Sequence, residues 1–179
     1  MHICVYGAAN DAIRQVYLDD AYRLGQTIAK AGHTMVFGAG CTGVMGAAAK
    51  GVLAEGGELI GIAPSFFHTP GVLEENCTKL ILTETMRERK DLLEQNSDMF
   101  VVAPGGIGTM DEFFEIFTLR TLERHTKPVI LLNTDGCWDA LIRLLDDFAA
   151  SGLMKAEYRS MLEVVQKPEE LTDIWKNRE

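Results

Sequence analysis

The sequence has no long apolar run, no cysteine-pair motif and no surplus of positive charge. Each absence removes a class of protein. No stretch of the 179 residues approaches the roughly 18 consecutive apolar positions that a membrane helix needs, so a membrane is not an expected partner. The start, Met1-His2-Ile3-Cys4-Val5-Tyr6, lacks the basic opening and the long apolar middle of a signal peptide. Lys and Arg number 17 against 26 Asp and Glu, a formal charge of −9. Broad capture of DNA, RNA or anionic lipid needs a basic face, so nucleic acid is not expected either. The four cysteines, Cys4, Cys41, Cys77 and Cys137, form no C-x-x-C pair. They read as reduced thiols of a cytoplasmic protein. The four histidines show no metal-ligand spacing, so no metal is expected. A composition of 47% hydrophobic and 24% charged residues excludes disorder, collagen and small disulfide scaffolds.

What is present is an alternation of short apolar runs with longer helical patterns. Strands are expected at Ile3 to Tyr6, Thr34 to Phe37, Glu58 to Ile62, Leu80 to Leu82, Met99 to Ala103, Val129 to Leu132 and Leu162 to Val165. Helices are expected at about Val16 to Ala31, Val44 to Glu55, Thr85 to Asn96, Met110 to Arg124 and Cys137 to Ala150, with Pro168 opening a last one. The strands are apolar throughout, as in a parallel sheet buried on both faces. Residues 1–179 therefore read as one α/β domain, a doubly wound parallel sheet with helices on both faces. The stretch 63–78, with two prolines and two phenylalanines, reads equally as a flap beside a site or as a packed crossover.

Two glycine loops follow strands, where ligands bind in such sheets. Gly38-x-Gly40-x-x-Gly43 fits the dinucleotide fingerprint, but no acidic residue ends the next strand to hold a ribose. A close-packed turn lining a shared pocket is the stronger expectation. The second loop runs Pro104-Gly105-Gly106-Ile107-Gly108-Thr109-Met110-Asp111-Glu112. Its free N–H groups at a helix start make an anion seat, and it lacks the G-K-[ST] ending of an ATPase loop. Thr109-x-x-Glu112 reads as a capping box. It reads equally as a catalytic carboxylate beside a bound phosphate compound, where an oxocarbenium-like sugar would justify the negative charge.

The densest basic cluster is Arg87-Glu88-Arg89-Lys90 at a helix start, where cations oppose the macrodipole. It reads either as a solvated face paired to acids such as Glu84 and Glu94, or as service to an anion or carboxylate. Helical spacing keeps all three bases from facing one ligand. Arg89 is the candidate, with Lys90 in support.

Together these motifs resemble the Lonely Guy (LOG) family of cytokinin-activating phosphoribohydrolases, some of which carry lysine decarboxylase labels. The resemblance covers nearly the whole chain. It rests on Arg89-Lys90, on Pro104 to Glu112 as P-G-G-x-G-T-x-x-E, and on Gly38 to Gly46 as a looser glycine motif. It implies a single-domain Rossmann-like fold, a homodimer, and hydrolysis of AMP or an N6-substituted AMP to free base and ribose 5-phosphate. It implies catalytic roles for Arg89 and Glu112. It implies substrate contacts for Lys90, Gly105, Gly106, Ile107, Gly108, Thr109 and Thr118. No cofactor is needed for such cleavage. The chain departs from the family pattern at Arg87, often histidine, and at Gly7-Ala8-Ala9-Asn10, commonly C-G-S-S-like. The rival reading is a non-catalytic nucleotide-binding or carrier protein on the same fold. A lysine decarboxylase would need pyridoxal phosphate on Lys50 or Lys90. The apolar girth of helix 110–124 adds a reason to expect a subunit interface.

Overall fold

The computed structural model describes residues 1–176 and 178. In chain order the elements are β1 (His2–Tyr6), α1 (Gln15–Lys30), β2 (Thr34–Phe37), α2 (Gly43–Ala54), β3 (Leu59–Pro64), β4 (Lys79–Thr83), α3 (Met86–Gln95), β5 (Met99–Val102), α4 (Ile107–Thr121), β6 (Val129–Leu132), α5 (Asp139–Ala150), α6 (Ala156–Arg159), β7 (Leu162–Val165) and α7 (Leu171–Lys176). A short 3-10 turn, Pro168–Glu170, precedes α7 with proline in its first turn.

All seven strands pair in parallel, in the order β4-β3-β2-β1-β5-β6-β7. The chain winds outward from β1 to β4, then returns through α3 to β5 on the other side of β1. The sheet is doubly wound, as the apolar strand pattern implies. Side chains alternate across it. Ile3 and Val5 enter one core with residues of α1, α2 and α7. Cys4 and Tyr6 enter the other with Leu93 of α3, Phe113 and Phe117 of α4 and Leu145 of α5. Backbones meet closely where glycine allows it: a Cβ on Gly25 of α1 would lie 1.9 Å from the Ala48 carbonyl of α2.

One expectation fails. The apolar reading of Leu80 to Leu82 implies burial, yet Leu80 and Leu82 are exposed. β4 is the edge of the sheet, so it lacks the two flanking strands and full helical cover of the central ones.

β1 and β5 are neighbours whose connections leave in opposite directions. The crevice beyond their carboxyl ends is the topological switch point, where ligands bind in open α/β sheets. The backbone stitches the two loops there, with the Ala8 N–H donating to the Pro104 carbonyl at 3.0 Å.

Candidate active site

A cleft of about 620 Å³ opens at this switch point. Four segments line it: Gly7 to Asn10 after β1, the first glycine loop with Met45, the stretch after β3 through Phe67 and Gly71 to Leu73, and Gly106 to Glu112 with Arg89. That volume suits a ligand of mononucleotide size or somewhat larger.

The second glycine loop begins its helix earlier than the sequence suggests. α4 starts at Ile107, with Gly106 as the residue before it and no side-chain cap. Thr109 is therefore inside the helix and buried, and no capping box forms. Gly105 permits this: a Cβ there would sit 2.1 Å from the Thr109 hydroxyl. The first intrahelical backbone bond at this end runs from Met110 N–H to the Gly106 carbonyl. The N–H groups before it lie at the positive end of the helix, beside the cleft.

Glu112 points from α4 to Arg89 instead of to its own helix start. Arg89 donates from Nη1 to Glu112 Oε1 at 2.7 Å, with both side chains 9% exposed. Burial pushes the Glu112 carboxyl above its ordinary value, and the Arg89 guanidinium opposes that rise. Thr85 caps α3 by accepting from the Glu88 N–H, which fixes the rotation that turns Arg89 inward. Gly38 leaves room for it, since a Cβ at 38 would lie 2.1 Å from Arg89 Nη2.

Lys90 turns elsewhere. It pairs with Asp111 at 3.2 Å and with Glu115, and these partners raise its pKa, the Glu115 bond foremost. It lies outside the cleft lining, as do Gly105, Ile107 and Thr118. Thr118 shares the outer face of α4 with Ile107 and Phe114. The structure thus brings Arg89, Glu112, Gly106, Gly108 and Thr109 together at one cleft. Arg87 is exposed.

The first glycine loop meets a carboxylate of the protein itself. Asp11 Oδ1 accepts the Gly43 N–H at 2.7 Å, so a carboxylate already occupies the N-terminus of α2. Gly43 has φ +63°, and a Cβ on it would meet the backbone of residues 8–10. The loop lines the cleft as a packed wall. The stretch 63–78 is stitched to it: the Cys41 N–H donates to Val72 O, and the Glu74 N–H to Ala39 O. It forms a wall of the cleft through Phe67, Val72 and Leu73. Sequence reading missed Asp11, which sits in a turn with no periodic signal. It also missed Met45, Phe67 and Met86, which look like ordinary core or loop residues.

Among the described residues, no group of three or more His, Cys, Asp or Glu is placed to hold a metal ion, and no helix is long and apolar enough to cross a membrane.

Fold and cleft define a Rossmann-type protein with an open cleft at its switch point. A family model described as "Possible lysine decarboxylase" matches residues 45–174. A protein of Oryza sativa named as a probable cytokinin riboside 5′-monophosphate phosphoribohydrolase is 36% identical, over 95% of this chain and 79% of its own. The cytokinin riboside 5′-monophosphate phosphoribohydrolase of Mycobacterium tuberculosis is 34% identical, over 91% of this chain and 87% of its own. Among solved structures, the molybdenum cofactor binding protein of Rippkaea orientalis matches with a TM-score of 0.75 at 26% identity, covering 98% of this chain and 95% of that one. The chain belongs to this family, the LOG family.

Proposed function

We propose that the protein is a phosphoribohydrolase that cleaves the N-glycosidic bond of AMP or of N6-substituted (cytokinin) nucleoside 5′-monophosphates. The observation that carries this reading is the buried Arg89–Glu112 pair in the cleft lining beside the open N-terminus of α4. A seat for phosphate alone has no use for a carboxylate. A seat for a phosphorylated sugar that becomes cationic does.

The 5′-phosphate takes the N–H groups at the start of α4, around Gly106, Gly108 and Thr109. Glu112 faces the anomeric carbon and stabilises the oxocarbenium-like centre. Water then bonds to C1′ as the C1′–N bond breaks. One water proton passes to Glu112 and from it to solvent, and the departing base takes up a proton from solvent at a ring nitrogen. Arg89 keeps Glu112 ionised and aimed. Met45, Phe67, Val72 and Met86 form an apolar wall suited to the base and an apolar N6 substituent.

Incubation with AMP and isopentenyl-AMP, followed by chromatography for free base and ribose 5-phosphate, tests the reading. Release is expected from the wild type, with at least about a hundredfold loss in Glu112→Gln. AMP binding with no release would favour the carrier reading, which the likeness to a cofactor-binding protein supports. A pyridoxal-dependent decarboxylase fits poorly. Lys50 is exposed, and Lys90 is held cationic by two acids, the opposite of a Schiff-base lysine.

We further propose that the chain acts as one domain and as a homodimer. Ile107 and Phe114 are exposed apolar residues on one face of α4, and Leu122, just past its end, is exposed too. Light scattering that gives a monomer at micromolar concentration would reject the dimer. All four cysteines are free, which suits a reducing compartment such as the cytoplasm.

A further inference from the structure

Glu112 has a second neighbour that the substrate cleft does not explain. Behind it lies a separate cavity of about 60 Å³, whose polar lining includes Tyr6, Lys90, Glu94, Glu112 and Glu115. Glu112 lines both spaces and so stands as the partition between them. The cavity exceeds the roughly 10–15 Å³ that one water needs, and it offers more than the 2–4 polar partners that hold a water.

Tyr6 is the last residue of β1 and is 4% exposed. Its ring stacks on Phe100 at 5.9 Å between centroids, and Tyr6 lines the cavity. Burial holds the phenol well above its ordinary pKa, so it stays a neutral donor. Arg89 occupies Oε1 of Glu112, and Oε2 has no protein donor among the described residues.

We propose that the Tyr6 hydroxyl donates to a water in this rear cavity, and that this water donates to the Glu112 carboxylate from the side away from the substrate. Tyr6 is then a positioning residue for the hydrolysis. The inference rests on the function proposed above. The charged and titratable groups around Glu112 and this cavity are Arg89, Lys90, Asp91 and Glu94 on α3, Asp111 and Glu115 on α4, and Cys4 and Tyr6 on β1. Cys4 is pushed up to about 12 by burial; it is a neutral thiol that hydrogen-bonds the Tyr6 oxygen, and its S–H serves as the donor there, which leaves the Tyr6 O–H for the water. The donor that disappears in Tyr6→Phe favours the ionised carboxylate, so its loss raises the Glu112 pKa.

The test is Tyr6→Phe, which removes one oxygen and keeps the stacked ring. The acid limb of the kcat profile on AMP is expected to move up by about one pH unit, with KM unchanged. The carboxyl carbon of Glu112, followed by NMR in glutamate-labelled protein, is expected to titrate higher by the same amount. Ile116→Phe narrows the same cavity from α4 and should shift the limb in the same direction with Tyr6 intact. It also decides the matter if Tyr6→Phe does not fold. An evenly lowered kcat with an unmoved limb, or an unmoved carboxyl titration, overturns the proposal. If the wild type hydrolyses neither nucleotide, the functional reading fails instead, and the carboxyl titration still decides the role of Tyr6.

Discussion

The two glycine loops look alike in sequence and differ in what fills them. Each follows a strand of the parallel sheet, each opens a helix, and each lines the same cleft. At α2 the helix N-terminus is taken by Asp11, and the glycines are pressed against neighbouring atoms. At α4 the helix N-terminus faces the cleft, and a Cβ on Gly106 or Gly108 would meet nothing within 4 Å. A glycine motif therefore has two physical uses. It lets backbone approach backbone, or it lets a ligand approach backbone. Only the surroundings decide which.

The sharpest way to break the second loop's role is to remove the cation that holds its carboxylate. Arg89→Leu strips Glu112 of its partner at a site where both are buried. A buried pair broken on one side loses about 3–5 kcal/mol, measurable as a shift in urea unfolding. Turnover should fall by about a thousandfold or more, because the leftover carboxyl protonates and loses its aim. The sign of the pH effect follows from the same pair. Burial already raises Glu112, so the acid limb of the wild-type rate is expected above the ordinary carboxylate value. Loss of Arg89 moves it higher still, since the cation favoured the ionised form. A residual rate with an unmoved limb would remove Glu112 from the chemistry.

Much of this arrangement was legible in the sequence, and the illegible part has a common cause. Buried strands announce themselves as apolar runs, so the sheet and its winding follow from β1, β2, β5 and β6. The edge strand β4 carries the same leucines and is exposed, because apolar character does not report a strand's place in the sheet. Helical spacing keeps the three bases from facing one ligand, with Arg89 the candidate and Lys90 in support; the structure puts Arg89 in the cleft lining and Lys90 on Asp111 and Glu115. The sequence places the start of α4 at Met110, with Thr109 in the capping position that threonine favours. Tertiary packing of Thr109 over Gly105 overrides that propensity and removes the capping box. Gly38 was read as part of a turn, whereas its lack of a Cβ makes room for Arg89, a residue 51 positions away (89 minus 38). Contacts at such separation leave no local signature.

A matched pair of substitutions sharpens the comparison at intermediate magnitude. Gly46→Ala in α2 would place its Cβ 2.2 Å from the Cys41 carbonyl. That is backbone, which cannot swing aside, so a loss of about 1–3 kcal/mol is expected. Gly108→Ala in α4 enters open space and should gain up to about 1 kcal/mol from helix propensity, while the added methyl crowds the phosphate seat and raises KM for AMP. The melting temperatures of the two variants should move in opposite directions, and KM for AMP should rise in Gly108→Ala. Equal destabilisation by both would mean that the loops are packed alike.

The smallest expected effect tests whether Asp11 closes the first loop to an anion. Asp11 satisfies the Gly43 N–H and sets a negative charge at the start of α2. Asp11→Ala should cost about 1 kcal/mol, the usual loss for removing a helix-terminal carboxylate. It also uncovers a second positive helix end lined by glycine, in the same cleft as the first. Inorganic phosphate should then bind the variant with a second, weak stoichiometric step in calorimetry, absent from the wild type. Asp11→Asn keeps the accepting oxygen without the charge, so it should retain most of the stability and show no second step. If Asp11→Ala gains no phosphate site, the carboxylate is not what closes the loop, and the close packing around Gly43 does so alone.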